Sequence, residues 1–205
     1  MGVSIRKGQR ISLRKASSDS GSSTVLTKIK IGLGWKARIT SGDSFDLDAT
    51  AFMLQSNGKV PDDRYFIFYG QMKSPSGSVE HMGDEREGNT ADIAYEDEDE
   101  EEIYIDLTAV PHFVNKVAIC VSIHEASQKN QNFGMVEDAY VRVVNAEDEI
   151  EIARYDLSED ASIETAMIFA EVYNKNNEWR FRAIGQGFAG GLGPLARHYG
   201  VDVEE

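Results

Sequence analysis

The 205-residue sequence predicts an all-β domain, an antiparallel sandwich or barrel with at most short helices. Three observations carry this. Apolar residues alternate with polar ones at a period of two in run after run, whereas a helical domain would sustain an i, i+3, i+4 pattern. The runs are short, about four to eight residues, and rich in β-branched and aromatic side chains. Clusters of Ser, Gly, Asn and Asp separate them, each of which turns the chain.

In chain order, Val3 and Ile5 and then Ile11 and Leu13 alternate with polar partners, followed by a turn cluster at 17–23. Strand patterns follow at 25–33, 45–49, 65–69 (YFIFY), 103–107, 117–123 and 139–144, with turns at 41–43, 56–58, 74–77 and 145–149. Residues 152–157 and 178–184 read as strands. The stretch 161–174 suits a helix face or a strand buried on both sides, and its strand-like flanks favour the strand. One short helix is expected near the C-terminus, with Leu192, Leu195 and Tyr199 on one face and Gly200 as the residue that ends it. With no fixed-period repeat and no Pro-rich linker, 1–205 reads as a single domain.

Charge narrows the function. Thirty-five acids against 21 Lys and Arg leave a net charge of −14, which offers no basic surface for nucleic acid or for anionic lipid. Apolar runs such as 117–121 are too short to span a bilayer. The N-terminal stretch alternates and has no signal-like apolar region, and the single cysteine, Cys120, lies inside an apolar run and reads as a core thiol. A cytoplasmic location is the expectation.

The acidity is local. Residues 84–102 hold eleven acids against one base, Arg86, for a net −10, so the other 186 residues carry only −4. Seven carboxylates in a row at 96–102 repel one another unless neutralised, and the run abuts a strand pattern where a solvated tail would lie at a terminus or in a linker. Asp46 and Asp48, two apart on a strand, share one face opposite Phe45, Leu47 and Ala49, so they either point to water or hold a hard cation. Gly83-Asp84-Glu85 with the acidic run supplies the flexible oxygen ligands that calcium takes, in a pattern unlike an EF-hand loop and too loose for magnesium. The alternative is a solvated acidic loop.

Other signals are weak. Gly185, Gly187, Gly190, Gly191 and Gly193 match a phosphate loop in glycine number alone and read as turn residues. Ser122, His124 and Glu125 lie in or beside a strand pattern with no nucleophile elbow. His81, His112 and His198 lack zinc spacing.

The Asp pair, the Gly83-Asp84 turn and the C-terminal half resemble the TerD family of tellurium-resistance and general stress proteins. The matching stretches are 31–35 (Ile-Gly-Leu-Gly-Trp), 45–54, 79–84 (Val-Glu-His-Met-Gly-Asp), 131–134, 153–160 and 178–191, which cover nearly the whole chain in order. The resemblance implies a two-sheet β-sandwich that binds Ca2+ in acidic loops, no catalytic activity, and a role in bacterial resistance to tellurite, phage and other stresses. Its Asp pair falls on Asp46 and Asp48, its Gly-Asp turn on Asp84, and its closing Glu on Glu102. Glu85 stands where the family has Asn, Lys36 where it has Asp, and the loop before Glu102 is longer and more acidic. Within the run the ligand assignment falls on Asp99 and Glu101. The metal set is thus Asp46, Asp48, Asp84, Glu85, Asp99, Glu101 and Glu102.

Tellurite is an oxyanion, so a protein at −14 does not gather it through its general field, and one buried thiol offers no reduction site. The expectation is a Ca2+-dependent binding or scaffold module whose partners are calcium ions and other proteins of a stress-response complex, one location for which is the inner membrane surface, reached through those proteins. The alternative is a metal-dependent hydrolase or transferase, which needs an open coordination position beside a base or nucleophile.

Overall fold

The computed structural model describes residues 2–37, 46–83, 99–157 and 163–203. Their strands are β1 (Val3–Ile5), β2 (Arg10–Ser12), β3 (Lys28–Ala37), β4 (Leu47–Leu54), β5 (Phe66–Ile67), β6 (Val79–His81), β7 (Glu101–Asp106), β8 (Lys116–Ile123), β9 (Val136–Asn145), β10 (Ile150–Asp156), β11 (Ala166–Lys175) and β12 (Glu178–Phe188). They form two six-stranded sheets, ordered β1-β10-β9-β3-β7-β6 and β2-β12-β11-β8-β4-β5. Every pairing is antiparallel except β1 on β10. Two separate sheets make this a sandwich, which settles the choice against a barrel.

Alternation builds the core. Ile29, Ile31 and Leu33 of β3, Ile103 and Ile105 of β7 and Val141 and Val143 of β9 are all fully buried. So are Ala49, Ala51 and Met53 of β4 and Val117, Ile119 and Val121 of β8, on the second sheet. In β8 the residues between them are buried as well, which explains an apolar run without alternation. There Phe52 of the neighbouring strand stacks on Phe66 at 4.5 Å and meets Tyr199 at 4.7 Å, so the outer face of this sheet is partly covered too.

The covering element is the expected C-terminal helix, α3 (Leu192–His198); the other two, α1 (Leu13–Asp19) and α2 (Ala126–Lys129), are short. Val201 N–H donates to the Ala196 carbonyl and Gly200 N–H to the Arg197 carbonyl, with Gly200 at φ +87°. This is a Schellman ending, and the positive φ is why glycine stands there.

Three local readings differ from the sequence. Leu13 does not extend the β2 strand: Ser12 Oγ accepts from Lys15 N–H and starts α1, so the alternation of Ile11 and Leu13 spans a strand–helix junction. YFIFY pairs only through Phe66 and Ile67, because Tyr65 closes a 3₁₀ turn capped by Asp62 and Phe68 already bridges back to Gln71. The ambiguous 161–174 stretch holds β11, a strand flanked by β8 and β12, and Asn176 and Asn177, both at positive φ, turn it back into β12.

Candidate metal centre at one end of the sandwich

The ends of β4, β6, β7 and β8 meet at one end of the molecule. His124 N–H, just past β8, donates to the Asp46 carbonyl at 2.8 Å, and Ile123 N–H donates to the Thr165 carbonyl at 3.0 Å. Met82 N–H, just past β6, donates to the Glu102 carbonyl at 3.0 Å. Gly83 and Asp99 border the acidic segment here, and Asp84 and Glu85 themselves lie outside the described residues.

Asp48 sits on β4 directly across from Ser122 of β8. Its side chain is only 15% exposed, and its Oδ2 lies 3.7 Å from His124 Nδ1. The two residues border a cavity of about 250 Å³ with Ser122, Glu125, Thr165 and Tyr69. Asp46, half-buried, lies immediately before β4.

Glu101 opens β7 on the same face as Ile103 and Ile105, so its carboxylate enters the space between the sheets and is 4% exposed. Its Oε2 is 3.2 Å from His81 Nε2, which also lies 3.1 Å from the Ala49 carbonyl. Gly83 N–H donates to His81 Nδ1 at 3.0 Å, which places the ring proton on Nε2, toward Ala49 and Glu101. His81 therefore ties Glu101 to the backbone of β4, one residue from Asp48.

The next residue points the other way. Glu102 faces Lys30 at 3.2 Å on the outer side of the first sheet, and Lys30 also meets Glu149 at 2.9 Å. Burial works against the Lys30 ammonium, but the two carboxylates outweigh it and hold its pKa above the ordinary value.

Asp99 is on that outer side too. Arg142 Nε donates to its two oxygens at 2.8 and 3.0 Å, and the Tyr140 hydroxyl donates at 3.1 Å. Burial, then the Asp99 charge, pushes the Tyr140 phenol well above its ordinary value. The carboxylate lies over Gly32, where any Cβ would collide with it. Arg154 covers the Tyr140 ring at 3.8 Å.

The expected ligands thus divide. Asp46 and Asp48 stand at the start of β4, Glu101 lies between the sheets beside His81, and Asp99 and Glu102 neutralise Arg142 and Lys30 on another face. Among the described residues, no three His, Cys, Asp or Glu side chains stand close enough to hold a metal ion together. The sequence reading passed over His81, His124, Arg142 and Tyr140 as partners. For His81 the signal was its place two residues after Val79 in an alternating strand, an inward position.

Residues 1–199 match the TerD domain. The chain belongs to the TerD family. It is 48% identical over 203 residues to tellurium resistance protein TerD of Serratia marcescens, covering 99% of this chain and 100% of that one. It is 42% identical over 204 residues to general stress protein 16U of Bacillus subtilis, covering 99% and 100%. Two crystal structures share the fold. The TerD homologue SCO6318 of Streptomyces coelicolor A3(2) superposes with a TM-score of 0.63 at 20% identity, over 83% of this chain and 95% of that one. A protein of unknown function, SAV2460, gives 0.67 at 19% identity, over 87% and 99%. The chain is accordingly a TerD-family tellurium-resistance and stress-response protein. No helix among the described residues is long and apolar enough to cross a membrane.

Proposed function

We propose that this TerD-family protein binds calcium at the acidic end of its sandwich and acts, without catalysis, as a calcium-dependent binding module for other proteins of a cytoplasmic stress-response complex. The observation that supports it is the pairing of the carboxylates. Asp99 and Glu102 meet a guanidinium and an ammonium, whereas Asp48 and Glu101 meet imidazoles, at the strand ends that border the acidic segment.

The donor set fits a hard cation. Asp46 and Asp48 offer carboxylate oxygens at the start of β4 and would hold the ion together with Asp84 and Glu85 from the acidic segment, with Glu101 standing behind them between the sheets. Bound there, calcium would supply positive charge that lets these carboxylates lie together, and the chain around them would order into a surface for a partner. Asp99, held by Arg142, would anchor the far end of the segment to the first sheet. The hydrolase alternative gains no support from Ser122, which is 3% exposed within a strand.

Titration calorimetry on the chelator-treated protein tests this. Saturable calcium binding is expected, with magnesium much weaker, since flexible carboxylate loops suit the larger ion. Asp48→Asn and Glu101→Gln should each weaken calcium, and Asp99→Asn should weaken it less. Heat of binding that is absent, or equal for calcium and magnesium, contradicts the reading.

A further inference from the structure

A second cavity, about 690 Å³, opens on the outer face of the second sheet. Arg182, Lys116 and Glu171 line it with Leu54, Ile168 and Ile184. The charges form a row set by strand register. Arg182 of β12 lies directly across from Glu171 of β11 on one side and Arg10 of β2 on the other. Directly opposed residues of an antiparallel pair project to the same face, so three charged side chains stand side by side.

Arg182 has no acceptor in that row. Glu171 is committed to Lys116 at 2.6 Å. Arg10 is a like charge, and like charges directly opposite each other destabilise a sheet. Arg182 Nε is buried and finds no hydrogen-bond partner among the described residues. A buried guanidinium N–H without an acceptor costs free energy that a carboxylate or phosphate oxyanion recovers with charge-assisted bonds. The remaining carboxylate of the lining, Glu164, accepts from Ile163 N–H at 3.2 Å. Among the mostly polar lining, Ile184 is half-buried and offers an apolar contact, with the buried Leu54 and Ile168 behind it. The volume is that of a small-molecule pocket.

We propose that this cavity binds a small organic oxyanion, a carboxylate or phosphate ester, with its charged group on Arg182 and its apolar body against Leu54, Ile168 and Ile184. A chain of net charge −14 collects no anions by its overall field. Arg182 supplies a local positive charge in this recess, because Glu171, the carboxylate across from it, is already met by Lys116.

The test uses the full chain in chelator, so that it is independent of calcium. Phenyl phosphate, benzoate and inorganic phosphate are titrated by calorimetry. Saturable one-to-one binding of phenyl phosphate or benzoate is expected, the tighter of the two naming the headgroup, with inorganic phosphate weaker. Arg182→Gln should weaken it by roughly tenfold or more without lowering the melting midpoint. Gln186→Trp, at the exposed rim, should weaken it as well and serves if the first variant does not fold. Three results would overturn the proposal: no saturation by either aryl ligand up to about 10 mM, unchanged affinity in both variants, or inorganic phosphate binding as tightly as phenyl phosphate.

Discussion

Asp99 and Arg142 form an ion pair that fastens the acidic run to the face of the first sheet. Both Asp99 oxygens lie within 3.0 Å of Arg142 Nε, and the Asp99 side chain is 1% exposed. Three carboxylates of the run at 96–102 find partners distant in sequence: one is absorbed by Arg142, one by Lys30, and one turns inward to His81.

If the pair is structural, breaking it costs stability. Arg142→Gln should destabilise the fold by roughly 2–4 kcal/mol, since it leaves the buried Asp99 charge behind, and Asp99→Asn by less, since Glu151 still lies 3.7 Å from Arg142. The double variant should cost less than the sum of the two, because the uncompensated charge is gone. Chemical denaturation of all four proteins measures the coupling. Strict additivity would show that the two side chains act independently.

Gly32 provides a second probe of the same contact. Alanine there would place a methyl group where the Asp99 carboxylate lies. Gly32→Ala should therefore destabilise by about 1–3 kcal/mol through overpacking, and most of that loss should vanish in an Asp99→Ala background. A full loss in both backgrounds would place the strain in the β3 backbone instead.

Most of the fold was legible because half-buried strands keep their period: β3, β7 and β9 alternate as the sequence does. Residues 96–102 lost that signal, since a run of identical charge has no alternation to read. Only the pairing of Glu101 with Leu33 and of Glu102 with Gly32 decides which side chain enters the core and which meets Lys30. Arg142 lies 43 positions beyond Asp99, two strands away across β3, and nothing local to the run announces it. The helix α1 was hidden for the opposite reason. Ile11 and Leu13 are spaced as in a strand, and the single capping bond of Ser12 outweighs that pattern. The end of α3 at Gly200 was legible from local spacing.

Alkaline pH supplies a further prediction. Burial pushes the Cys120 thiol up, with the Glu171 charge adding to it and the Tyr199 hydrogen bond working against it; burial, then Cys120 and Glu171, push the Tyr199 phenol up, and burial with Asp99 does the same to Tyr140. The unfolded chain releases these protons near pH 8.5–10, roughly the ordinary values of Cys and Tyr, while the folded chain keeps them. Stability is then fully present below that range and falls as pH rises through it, by up to about 1.4 kcal/mol per pH unit per group. Denaturation midpoints measured from pH 8 to 11 should decline, and Tyr199→Phe should flatten the decline. A midpoint constant across that interval would contradict these directions.

The most direct test of the central claim is the melting midpoint of the chelator-treated protein with and without millimolar calcium, against sodium at equal ionic strength. A ligand that binds only the folded chain adds roughly 2.7 kcal/mol at a hundredfold excess over its Kd, which for a domain of this size raises the midpoint by about 5–10 °C. Sodium, which only screens, should do much less. Asp48→Asn should lose most of the calcium increment while leaving the metal-free midpoint equal or slightly higher, because one repelling carboxylate is gone. A calcium curve that overlays the sodium curve in the wild-type protein would contradict calcium binding at this end of the sandwich.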